Sequence, residues 1–113
     1  MSVYVVARID IHDRERYAQY EAGFMALFEQ SGGRMLAVEE APEVIEGSWD
    51  TTRTVLIEFD DAEQMKAWYH SDGYQALVQH RFAASTGDIA LLGGFEGLEA
   101  LEAAGGAADG AEG

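Results

Sequence analysis

The chain has 113 residues and a formal net charge of −14, from 21 acidic and 7 basic side chains, and it contains no cysteine. That length suits one domain with a single ordinary core, and the charge argues against phosphate-neutralising nucleic-acid binding and against an anionic membrane surface as partner. Disulfides, thiolate metal sites and cysteine nucleophiles are excluded. The opening MSVYVVARID lacks a basic region followed by a long apolar core, and no apolar run approaches the ~20 residues of a membrane span, so a cytoplasmic location is expected.

Val3 to Ile11 alternates, with Val3, Val5, Ala7, Ile9 and Ile11 on one face and Tyr4, Val6, Arg8 and Asp10 on the other, which predicts a first strand. Asp13 is placed to cap a helix whose apolar stripe is Tyr17, Tyr20, Phe24, Leu27 and Phe28. Gly32 and Gly33 end it, since glycine takes the left-handed conformation that closes a helix. Gly23 inside the helix costs up to about 1 kcal/mol against alanine and has no evident purpose in the sequence.

Arg34 to Glu39 reads as the second strand, with Arg34, Leu36 and Val38 facing one way and Met35 and Ala37 the other. Beyond Pro42, the piece Val44-Ile45-Glu46 is expected to extend a sheet edge, where proline is tolerated. Trp49 to Arg53 is a turn, and Thr54 to Phe59 is the third strand, with Val55, Ile57 and Phe59 on one face. Asp60 or Asp61 caps a second helix, Asp61 forming a capping box with Gln64, with Met65, Trp68 and Tyr69 inward. A break at Ser71-Asp72-Gly73 precedes a further helical stripe of Tyr74, Leu77, Val78 and Phe82. Asp88 to Phe95 is the last strand. The remainder, residues 96–113, holds five acids and no base and is expected to be a disordered tail on a domain spanning residues 1–95.

Strand, helix, strand, strand, helix, strand is the split βαβ order of a ferredoxin-like α+β domain, an antiparallel sheet with helices packed on one face. The second sheet face then carries Tyr4, Val6, Arg8, Arg34, Leu36, Val38, Leu56, Glu58, Ala90 and Leu92. So many apolar side chains are not expected to stand in water, and a homodimer formed through this face, giving a dimeric α+β barrel, removes the difficulty. Charges beside such an interface must be paired or reached by water or a ligand, which makes this face the expected position of a cleft.

Arg34 and Arg53 bracket the central stretch. Each is suited to hold a carboxylate or phenolate bidentately, or else to pair with Glu58, Glu46 or Asp50. Glu58 is either a base with a raised pKa or an ion-pair partner of Arg8 or Arg34. Trp49, Trp68 and Tyr69 line an aromatic pocket on one reading and form core or interface on the other. Tyr74 follows Ser71, which reads as a helix cap. Asp10, His12 and Asp13 cluster locally, but without a second histidine at ligand spacing no metal site is expected. Gly32-Gly33 precedes a strand instead of a helix, so it is no phosphate loop, and no cofactor is expected. No catalytic residue can be assigned.

The segments DRERYAQY, SGGRMLAVEEAPEVIEGSWDTTRTVLIEF and KAWYHSDGYQALVQHRFAAS resemble the domain-of-unknown-function 1330 family over nearly all of residues 3 to 95. Gly32-Gly33-Arg34, Glu46-Gly47 with Trp49, Arg53, Glu58-Phe59, and Trp68-Tyr69 followed by Ser71 and Tyr74 carry the resemblance. Two places depart from it: Glu39-Glu40-Ala41-Pro42 stands where a glycine pair is common, and Ser71-Asp72-Gly73-Tyr74 where Ser-Pro-Glu-Tyr is common. The resemblance implies a small dimeric α+β barrel of ferredoxin-like topology. It implies two functional readings. One is a protein that binds a small aromatic or anionic ligand in a cleft between sheet face and helices, or an enzyme akin to the barrels that act as cofactor-independent oxygenases or isomerases on small aromatic or lactone substrates. The other is a non-catalytic regulatory or interaction dimer.

Overall fold

In the computed structural model, which describes residues 1–95, alternation sets the strands and side-chain caps set the helices. The elements are β1 (Val3–Ile11), α1 (Arg14–Ser31), β2 (Arg34–Glu39), β3 (Arg53–Phe59), α2 (Ala62–Tyr69), α3 (Asp72–Ala84) and β4 (Ser85–Gly93). The sheet runs β2-β3-β1-β4 with every neighbour antiparallel, the ferredoxin-like order. The expected tail over residues 96–113 lies outside the described residues.

Each helix starts on an oxygen that accepts an otherwise unpaired backbone N–H. Asp13 accepts from the Arg16 N–H, Asp61 from Gln64 and Ser71 from Tyr74. Ser71 thereby separates α2 from α3 at the break the sequence shows. Gly32 closes α1 at φ 80°, where any side chain would be strained. Gly23 gains a physical reason here: a Cβ at this position would lie 2.8 Å from Leu77 Cδ1, so its absence lets α1 approach α3.

Val5, Ala7, Ile9, Ile57 and Phe59 face the helices and are buried beneath Tyr17, Tyr20, Phe28, Met65, Trp68, Tyr74 and Val78. Aromatic rings dominate this layer: Trp68 lies 4.4 Å from Tyr74 between centroids and meets Phe24 and Phe28 edge-on. Such pairs add about 0.5–1.5 kcal/mol each beyond area burial.

Four expectations are corrected. Strand β2 does not alternate throughout: Met35 pairs with Ile57 but Ala37 with Leu56, leaving Leu36 as an extra residue in a bulge. Val38 therefore stands opposite Val55, on the helix-covered face, and not beside Arg34 and Leu36. Val44-Ile45-Glu46 is not a strand; residues 40–52 are irregular, and Ile45 is 82% exposed. Strand β4 begins at Ser85, because its pairing with β1 already starts at Ser85 opposite Ile11. Phe82 is exposed, since the inward stripe of α3 is Tyr74, Val78 and Arg81 and the next position turns away.

The other sheet face carries Tyr4, Val6, Arg8, Leu56, Glu58, Ala90 and Leu92 with no helix upon it among the described residues. Leu92 is exposed and Leu36 protrudes at the bulge. Trp49 folds back over one end of this face, 4.4 Å from the Arg8 guanidinium, and its Nε1 donates to Thr54 Oγ1 at 2.8 Å.

Candidate functional site

Between the sheet and the helix layer lies a cavity of about 100 Å³. Ala7 on the central strand β1 is small where its neighbours on the same face are large, and this leaves space under Tyr17 and Tyr20 of α1. Phe24, Trp68, Tyr69 and Tyr74 complete the aromatic wall, while Val38 on β2 and Ile89 on β4 close it from the two sheet edges. Val38 is 51% exposed and Ile89 38%, so the cavity communicates with solvent. An engineered apolar cavity of about 150 Å³ holds benzene, so the enclosed part of any occupant here is limited to about one ring.

Polar groups enter this apolar space in three places. The first is Arg53 at the start of β3. Its Nε donates to Glu40 at 3.1 Å, its Nη1 pairs with Glu21, and its guanidinium lies 5.2 Å from the Tyr17 ring centroid. Glu40 also accepts from Arg14 Nη1 at 3.0 Å. Burial disfavours the Arg53 cation, but its hydrogen bonds to Glu21 and Glu40 outweigh this and leave its pKa above the ordinary value. Burial also pushes the Tyr17 phenol up, against the opposing pull of Arg53.

The second is a hydroxyl pair. Tyr20 and Tyr74 share a hydrogen bond of 2.6 Å in a buried setting. Burial and the facing phenol hold Tyr20 far above the ordinary tyrosine range, so it stays neutral.

The third is Arg81 on α3, which the sequence reading passed over. It is 4% exposed, it lines the cavity, and it lies in no ion pair among the described residues. Its Nε and Nη2 have no hydrogen-bond partner there. The Tyr20 and Phe82 rings flank it at 5.7 and 5.2 Å. Burial weakens its cation, yet the Tyr74 and Tyr20 phenols favour the charge, and the pKa stays above the ordinary value. Trp68 Nε1 is a further buried donor without a partner among the described residues. One signal was present in the sequence: Arg81 sits seven residues after Tyr74, where a helical apolar stripe returns to the same face.

Of the candidates named from sequence, Arg53, Trp68, Tyr69 and Tyr74 come together around this cavity. Arg34, Glu58 and Trp49 do not. Arg34 donates from Nε to Glu58 at 3.0 Å and from Nη2 to Asp60 at 3.1 Å, at the far end of the open sheet face. Hydrogen bonds from Ser2 and Arg34 hold the Glu58 carboxyl below its usual range, the opposite of a poised base. Both arginines are therefore saturated, Arg53 by Glu21 and Glu40 and not by the expected Glu46 or Asp50. The cavity lies between the sheet and the helices, and not beside the charges of the open face. No group of three or more metal-ligating side chains occurs among the described residues, and no helix there is long and apolar enough to cross a membrane.

Solved structures share this architecture. A protein of unknown function from Rhodopseudomonas palustris is similar at 16% identity and a TM-score of 0.72, over 85% of this chain and 84% of that one. SnoaB, a cofactor-independent oxygenase from Streptomyces nogalater, is similar at 17% identity and a TM-score of 0.61, over 86% of this chain and 96% of its own. A DABB-family protein with a ferredoxin-like fold from Mesorhizobium loti is similar at 12% identity and a TM-score of 0.63, over 83% and 97% of the two chains. At such identities the likeness is one of fold. No curated protein matches the chain. The family described as Domain of unknown function (DUF1330) matches residues 2–95, and the chain belongs to that family.

Proposed function

We propose that this protein binds a small aromatic molecule in the cavity between its sheet and its helices, as a homodimer joined through the open sheet face. The observation that carries the reading is the cavity itself: aromatic rings from all three helices surround a space that Ala7 leaves empty, and the space reaches solvent. Small-molecule sites have this character, apolar and aromatic walls with a few polar groups. The likeness of its fold to that of a cofactor-independent oxygenase is compatible with chemistry on the bound ring. Binding stands ahead of catalysis because Glu21, a carboxylate lining the cavity, is already paired with Arg53. The open face, with Val6, Leu56, Ala90 and Leu92, supports the dimer.

The test is nuclear magnetic resonance and thermal-shift titration with neutral one-ring compounds such as phenol, benzyl alcohol and benzamide, beside an Ala7→Leu variant that fills the cavity. Binding by the native chain and its loss in the variant are expected. Absence of any response, or an equal response in both, refutes the assignment. Sizing at micromolar concentration addresses the dimer separately, and a monomer there refutes it.

A further inference from the structure

The cavity has an electrical asymmetry that an apolar occupant would not satisfy. Arg81 brings a permanent cation into a space otherwise walled by rings, with Nε and Nη2 both unpaired among the described residues. Trp68 Nε1, on α2, adds a buried donor that is likewise unpaired among the described residues. Arg53, the other arginine lining the cavity, is already matched to Glu21 and Glu40. The unmet groups are therefore donors, and one of them carries a full charge. Nε and one terminal nitrogen of a guanidinium form the edge that grips a carboxylate through two parallel hydrogen bonds. The Tyr20 and Tyr74 phenols favour this cation but supply no full negative charge, and no carboxylate among the described residues pairs with it, which gives an anion an advantage over a neutral molecule of the same shape.

We infer that Arg81 is an anion subsite within this cavity, and that the occupant is a small aromatic acid whose carboxylate, or an equivalent oxyanion, lies against Arg81 Nε and Nη2 with its ring among Tyr20, Trp68 and Tyr74. The inference rests on the cavity being a ligand site as proposed above. The Tyr20–Tyr74 hydroxyl pair borders the same charge and supplies a second polar contact for an oxygen. The chain's net charge of −14 opposes anions at long range, so recognition must come from this short-range contact and not from steering.

Calorimetric titration with benzoate and with benzamide at neutral pH separates charge from shape, using the full chain and its Arg81→Met and Arg81→Lys variants. The native protein is expected to bind benzoate roughly tenfold or more tightly than benzamide, the effect of one or two charge-assisted hydrogen bonds. Arg81→Met should bind the two alike, at the native affinity for benzamide. Arg81→Lys should lose most of the preference, because an ammonium lacks the planar fork. This last variant decides the matter if the methionine variant does not fold. Benzamide binding as well as benzoate to the native chain overturns the subsite while leaving the cavity assignment intact. A preference for benzoate that survives in both variants overturns it also, placing the anion elsewhere. Failure of both compounds to bind overturns the subsite and the cavity reading together.

Discussion

Replacing Arg81 by methionine should stabilise the empty protein, an unusual expectation for a buried residue. Methionine keeps most of the unbranched apolar stem and removes the guanidinium. In the native chain that group is 4% exposed and two of its nitrogens have no partner among the described residues. Each unsatisfied buried donor costs about 1–3 kcal/mol. Against this, the variant loses the attraction of the cation to the Tyr20 and Phe82 rings at 5.7 and 5.2 Å, about 0.5–2 kcal/mol. The balance favours methionine by about 2 kcal/mol, which for a domain of this size raises Tm by about 10 °C. Removal of one positive charge from an acidic chain opposes the gain slightly, and roughly 0.15 M salt screens that term. Scanning calorimetry of both proteins at equal concentration is the assay, since Tm of an associating protein depends on concentration. A lower Tm for Arg81→Met would refute the reasoning, because it would mean that the folded protein already balances the guanidinium. A higher Tm would identify Arg81 as a residue retained at the expense of stability, as binding groups commonly are.

Two further outcomes follow from the same interior. Tyr20→Phe and Tyr74→Phe each leave one buried hydroxyl without its partner and should cost about 1–2 kcal/mol in urea denaturation, whereas the double variant should cost clearly less than the sum; additive losses would show that the hydroxyls do not depend on one another. The Glu40 carboxyl is held below its ordinary value of 4.5 by hydrogen bonds from Arg53 and Arg14. A carboxyl depressed in the folded state contributes stability above its unfolded pKa and loses it as pH falls through the folded one. Denaturation of native protein and Glu40→Gln from about pH 6 to about pH 3 should therefore start with the native chain more stable and end with the two equal, and a constant gap would refute the coupling.

The fold was legible because its signals are local. Period-two alternation in β1 and β3, the caps at Asp13, Asp61 and Ser71, and the glycine closing α1 each act within a few residues. The site was legible only in part. Trp68, Tyr69 and Tyr74 read as aromatic helix positions, and the structure carries them to one cavity. The partners of Arg53 were not readable, since Glu21 comes from α1 and Glu40 from the irregular segment after β2, 32 and 13 residues away in sequence. Arg81 was missed because the residue after it, Phe82, offers a more conventional end to the stripe; the helix pitch brings the arginine inward instead. The bulge at Leu36 has neither a glycine nor a proline to announce it, and its cause is the pairing with β3.

That bulge has a consequence for variation. On β1, β3 and β4 the odd-numbered residues face the cavity side and the even-numbered ones the open side, so changes of one parity leave the opposite surface untouched. Leu36 reverses this rule partway along β2: Met35 faces inward before it, and Val38 after it. A single-codon deletion at Leu36 would remove the extra residue and leave Ala37 opposite Leu56 and Val38 opposite Val55. Both surfaces would keep their residues, and plain alternation would then run along all of β2.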